Sequence, residues 1–168
     1  MKTLPLVLIA FLASLPSASA AQKPNILLIL ADDLGYGDVN CYNDRSKVAT
    51  PHLDRLAREG MRFTDAHSPA TVCTPTRYSL MTGQMAFRVP NGGTVFQGAG
   101  GPSLIAPGRL TLPAMLRKQG YATAAVGKWH VGLTFRDEAG EPIHSGKLEE
   151  VKRIDFSRRV EGGPVDHG

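Results

Sequence analysis

Cysteine is scarce in this sequence, with two in 168 residues, Cys41 and Cys73. That allows one disulfide at most and excludes a fold held by a cysteine framework. Long apolar runs are also missing. The longest, residues 4–15, is too short to span a bilayer and contains Pro5, so a stable membrane anchor is not expected. Nor is charge of one sign concentrated. The net charge is +4, and the one mild basic cluster, Lys152, Arg153, Arg158 and Arg159, is interrupted by Asp155 and Glu161. A nucleic-acid partner would call for a continuous basic stripe, so none is expected. The small positive balance does suit an anionic substrate. There is no internal repeat. Gly98-Ala99-Gly100-Gly101 lacks the following helix and the Lys-Ser/Thr pair of a phosphate cradle, and counts as loop punctuation.

The beginning of the chain has the form of a secretory signal peptide over residues 1–20: Lys2 as a basic start, an apolar stretch, and Ala18-Ser19-Ala20 as a small-residue cleavage site. Residues 21–168 are then a mature domain in the periplasm or outside the cell. Three continuous apolar runs, residues 25–30, 61–66 and 121–126, predict strands buried on both faces. Between them stand two helix patterns. Thr50-Pro51 opens the first, Leu53, Leu56 and Ala57 form its stripe, and Gly60 closes it; Thr111 opens the second, Leu112, Met115 and Leu116 share a face, and Gly120 ends it. Strand and helix in alternation predict an α/β fold with a mostly parallel sheet flanked by helices. Such sheets bind ligands beyond the carboxyl ends of their strands. Asp32-Asp33, the loop before Cys73 and Lys128-Trp129-His130 all follow predicted strands. Residues 89–108, rich in Gly and Pro with neither period, predict a long functional or mobile loop.

On their own residues, these groups admit plain readings. Cys73 could pair with Cys41 in an exported protein. Asp32 and Asp33 could cap a turn, although adjacent carboxylates repel unless a cation or donors neutralise them. Arg77 could be a surface arginine, and Lys128 and His130 unremarkable surface or core residues. His52, His67, His144 and His167 fit no catalytic position and are expected to be structural.

Cys73-Thr74-Pro75-Thr76-Arg77, continued by an apolar run to Gly83, resembles the signature around the nucleophile of type I sulfatases; Thr76 stands where that family more often has serine. Residues 120–130, ending in Gly127-Lys128-Trp129-His130, are similar to a second segment of the family, and Asp32-Asp33 with Gly35 and Gly37 to its first metal-binding segment. The resemblance implies an alkaline-phosphatase-like α/β fold and hydrolysis of sulfate esters. It implies that a formylglycine-generating enzyme oxidises Cys73 to formylglycine before folding, and that this enzyme and the export machinery are partners of the chain. It further implies that Arg77 holds the aldehyde hydrate and helps offset the sulfate charge, that Lys128 contacts sulfate, and that His130 hydrogen-bonds the hydrate. Asp32, Asp33 and the modified Cys73 would belong to a calcium site, with magnesium as the alternative, although two aspartates cannot fill a sphere of six to eight oxygens. The family's second metal pair, an Asp followed by Asn, and a later histidine and lysine are expected beyond residue 168, and three strands are few for a doubly wound sheet. The sequence is therefore read as the truncated amino-terminal part of a sulfatase, active only in a longer product. Two other readings stay open: a phosphodiesterase or phosphonate hydrolase of the same superfamily, and a non-catalytic exported protein that binds sulfate esters.

Overall fold

The computed structural model of the chain describes residues 22–96, 101–145 and 147–168. The signal peptide expected over residues 1–20 lies outside them, as do residues 98–100 of the glycine run. The chain divides into two units, one ending at Leu34 and the other running from Gly35 to Gly168. Among the described residues no helix is long and apolar enough to cross a membrane.

In the first unit, residues 22–34 form no regular element, bend at Asp32 and Asp33, and are exposed throughout. Among the described residues the second unit holds four α-helices, α1 Pro51–Glu59, α2 Cys73–Thr82, α3 Leu112–Lys118 and α4 Leu148–Val151, with single 3-10 turns at Tyr36–Asp38, Ala86–Arg88 and Pro164–Asp166. Local chemistry accounts for the first three helices. Pro51 opens α1 with a φ already helical, and the Gly60 N–H closes it on the Leu56 carbonyl at 2.9 Å. Thr50 Oγ1 is drawn into a small polar knot, accepting from the Asn40 N–H at 2.9 Å and lying 3.2 Å from Asp54 Oδ1. Thr111 caps α3 by accepting from the Ala114 N–H at 3.2 Å. Helix α4 is carried by ion pairs one turn apart, Glu149 with Lys152 and Glu150 with Arg153.

The expected parallel sheet is not formed among the described residues. Residues 25–30, 61–66 and 121–126 belong to no ladder, and the β-pairing is three isolated antiparallel bridges, Thr134 with Glu161, Arg136 with Pro142 and Asp137 with Ile154. A strand is stabilised by its cross-strand neighbours, and here none lies alongside. The apolar side chains that a sheet would bury stay in solvent instead, Leu27 at 85% and Val126 at 102% exposure. The stripes of α1 and α3 are also uncovered, with Leu53, Leu56 and Met115 exposed.

Among the described residues, buried apolar side chains gather in two small clusters. Tyr78, Ala86, Ile105 and Val131, flanked by Met81, Val89, Leu104 and Trp129, join α2 to the segment around residue 131. Phe135, Ile143 and Ile154, flanked by Leu133, Val151 and Val160, form the other. Around the second cluster Arg136 holds Glu161 at 2.9 Å and Arg153 holds Asp137 at 2.5 Å. The Asp137 carboxyl lies below its ordinary value, chiefly because the Glu141 N–H donates to it and then because of Arg153.

Candidate active site

Helix α2 begins at Cys73 itself. Val72 ahead of it is extended, and the Thr76 N–H reaches back to the Val72 carbonyl at 3.3 Å. The Thr76 hydroxyl donates to the Ala70 carbonyl at 2.9 Å and lies 3.0 Å from Ser68 Oγ, so it fastens the incoming loop. Pro75, in the first turn, needs no hydrogen bond from its nitrogen. At the other end Gly83 takes the left-handed conformation, φ 65°, and its N–H bonds Ser79 O at 2.8 Å. Cys73 is therefore half-buried on the first turn, where unpaired backbone N–H groups and the helix dipole favour negative charge. Arg77 follows by four residues and shares its face. Cys41 and Cys73 are both free thiols, so the disulfide reading is not realised.

The second part of the site is the turn through residues 127–132. Its backbone is left-handed at Gly127, His130 and Gly132, with φ of 104°, 54° and 89°. Gly132 is required, since a Cβ there would lie 2.3 Å from the Pro102 carbonyl oxygen. Val131, fully buried beside Tyr78, pins this turn against α2. Trp129 Nε1 donates to the Gly132 carbonyl at 3.0 Å and closes the turn on itself.

Two hydrogen-bond routes connect the parts. Arg77 Nη1 donates to the Lys128 carbonyl at 2.6 Å across 51 residues of sequence. The other route runs through Phe96, whose N–H donates to Thr74 Oγ1 at 3.3 Å while its carbonyl lies 2.8 Å from His130 Nε2. The second ring nitrogen, His130 Nδ1, is buried without a hydrogen-bond partner among the described residues. The structure thus brings together Cys73, Arg77, Lys128 and His130 through the elements that bear them, with His130 half-buried and Lys128 exposed. A half-buried thiol site on a helix's first turn, with fixed positive charge on the same face and imidazole tied to that turn, can hold an anion beside a nucleophile.

Asp32 and Asp33 lie in the first unit, both exposed, with Asp33 left-handed at φ 61°. Among the described residues no group of three or more His, Cys, Asp and Glu side chains could hold a metal ion. Two carboxylates fall short of a calcium sphere, so the residues present do not complete the expected site and no step is routed through a metal. Of the histidines left as structural, His167 is buried, stacks on Trp129 at 6.1 Å and lies 3.3 Å from Ser103 Oγ; burial pushes its ring below the ordinary value against the opposing pull of Asp166. His67 is exposed beside Asp65 at 2.7 Å. Sequence reasoning did not single out Thr74, which is fully buried, or Phe96. A threonine inside the Cys-x-Pro-x-Arg run carries no mark of its partner, and Phe96 takes part through its main chain, which has no sequence signal. The residues of α4 were also passed over, though their charges three apart were readable.

Residues 24–150 match the family model described as Sulfatase. An N-acetylgalactosamine-6-O-sulfatase of Bacteroides thetaiotaomicron is 48% identical over 122 residues, covering 67% of this chain and 22% of that protein. Human arylsulfatase A is 43% identical over 137 residues, covering 80% and 26%, and the steryl-sulfatase of Mus musculus 41% over 141 residues, covering 78% and 22%. The chain spans about a quarter of the length of the curated relatives it matches.

Proposed function

The chain belongs to the sulfatase family, and from that premise we propose that it carries the nucleophile-bearing part of a hydrolase of sulfate esters that works in the periplasm or outside the cell. The family uses a formylglycine and a divalent metal and implies an alkaline-phosphatase-like α/β fold. The observation that carries the reading is the 2.6 Å bond from Arg77 Nη1 to the Lys128 carbonyl, because it joins the cysteine helix to the lysine and histidine turn.

Each residue has a distinct task in this reading. Cys73, converted to formylglycine, supplies a hydrated aldehyde whose hydroxyl is the nucleophile toward sulfur. Arg77, with one arm of its fork held by a main-chain carbonyl, keeps a fixed positive charge one helical turn from residue 73 and offsets the sulfate charge. Lys128 brings a second, mobile positive charge to the substrate oxygens. His130 hydrogen-bonds the nucleophile. Asp32 and Asp33 are proposed as two ligands of a calcium ion, with magnesium as the alternative. The partners this requires are a sulfate-ester substrate, a formylglycine-generating enzyme and the export machinery.

The test is expression of the whole hydrolase of which this chain is proposed to be part together with a formylglycine-generating enzyme, mass measurement of the peptide containing Cys73, and initial rates on 4-nitrophenyl sulfate and on bis(4-nitrophenyl) phosphate. Conversion of Cys73, turnover of the sulfate, and loss of turnover in Cys73→Ala are expected. A preference for the phosphodiester would move the protein to the phosphodiesterase reading. A Cys73 that stays a thiol under these conditions would overturn the proposal and favour a binding protein.

A further inference from the structure

We infer that Thr74 fixes which nitrogen of His130 carries the proton, acting through the two ends of Phe96. The Phe96 carbonyl, 2.8 Å from His130 Nε2, can only accept a hydrogen bond, so the nitrogen facing it bears the hydrogen. In a neutral imidazole the other nitrogen then holds the lone pair. That nitrogen, Nδ1, is the buried atom with no partner among the described residues. The ring is therefore set as an acceptor toward whatever donor enters the site, such as a hydroxyl on residue 73, and is not a donor at Nδ1 until it gains a second proton.

This arrangement depends on where Phe96 is held. Phe96 belongs to no helix, and its N–H is taken by Thr74 Oγ1 at 3.3 Å. Thr74 is fully buried in the first turn of α2, next to Cys73. Its hydroxyl thus anchors one end of Phe96 to the nucleophile's helix while the other end orients His130. The turn that carries the histidine is itself held, because the His130 backbone is left-handed at φ 54° and the following Val131 is fully buried. Thr74 is accordingly a positioning residue, and its position between Cys73 and Pro75 couples the nucleophile's helix to the state of the ring.

The inference rests on the proposed role of His130 at the nucleophile, yet its readout needs no turnover. The whole hydrolase of which this chain is proposed to be part, labelled with 15N-histidine, is examined by long-range 1H–15N correlation, with the His130 signals identified by their loss in His130→Gln, at a pH where the ring is neutral. The wild type and Thr74→Ser are expected to show a single tautomer protonated at Nε2. Thr74→Val, which keeps the volume and loses the acceptor, is expected to show a mixture, with Thr74→Ala making the same comparison should the valine variant not fold. In the converted enzyme kcat should fall roughly tenfold in Thr74→Val, the worth of one hydrogen bond, and recover in Thr74→Ser. An Nδ1–H ring in the wild type, or an unchanged tautomer in the variant lacking the hydroxyl, would overturn the inference even in an active sulfatase. An Nε2–H ring that becomes mixed on loss of the hydroxyl would uphold it even in a protein that turns over no sulfate.

Discussion

At the scale of single residues, Arg77 is held by geometry that charge alone does not reproduce. Lysine at this position keeps the positive charge and loses the planar fork that reaches the Lys128 carbonyl while facing residue 73. Arg77→Lys should therefore lower kcat/KM on 4-nitrophenyl sulfate roughly a hundredfold, the usual loss when one preorganised charge-stabilising donor is removed. Acid sensitivity is set elsewhere. His167 has a folded pKa below its ordinary 6.5, so the stability of its neutral burial is complete above that pH and is lost as the pH falls toward the folded value. Asp137, with a folded pKa below its ordinary 3.8, stabilises the fold above that pH and stops doing so as the pH falls through the lower value. The unfolding midpoint should then decline in two stages on acidification, the first absent in His167→Gln. Asp137→Asn should be destabilised at neutral pH, with its gap from wild type closing below about pH 4. Denaturant titrations at a series of pH values would show both.

At the scale of elements, α2 is defined by its ends. Gly83 is left-handed with open space where a Cβ would stand, so replacing it costs backbone strain and no clash. Gly83→Ala is expected to destabilise the chain by about 1 kcal/mol and Gly83→Asn by less, measured from shifts in the denaturation midpoint. The punctuation by Thr, Pro and Gly made α1 and α3 readable in advance to within a residue or two, since caps act within one turn of chain. Helix α2 was not among them, because the four-residue spacing of Cys73 and Arg77 is one turn only once a helix is known to run through both, and the structure begins it at Cys73. Strands were not readable in that way. Residues 25–30, 61–66 and 121–126 have the composition of buried strands, but a ladder needs a neighbour, and the sequence of one segment does not say whether a partner is alongside. The Thr74, Phe96 and His130 link was invisible for a related reason, because two of its four hydrogen-bonding atoms are main-chain atoms.

Across the whole molecule, apolar side chains are distributed unusually for a chain with 42% hydrophobic residues. Leu27, Ile29, Leu56, Met61, Phe63 and Val126 are all exposed, whereas the buried side chains form two small clusters. The 168-residue chain by itself should bind a hydrophobic dye strongly, aggregate as its concentration rises, and unfold over a broad range of temperature. Calcium should bind it weakly, since Asp32 and Asp33 bring two carboxylates to a site that needs many more oxygens. Calorimetric titration beside a thermal melt checks both statements. A sharp melt together with micromolar calcium affinity would contradict them.

Burial of Thr74 and Pro75 within α2 also sets a clock. Any enzyme that modifies Cys73 by gripping the residues after it needs those residues extended and accessible, and the folded helix offers neither. The same ten residues are first a message and then a structural member, so the interval in which they can be read ends when α2 docks its Tyr78 into the core. Under the proposed conversion of Cys73, the fraction of molecules that acquire a working nucleophile is decided by a race between folding and modification, and substitutions that hasten the docking of α2 would yield a sounder fold with fewer active copies.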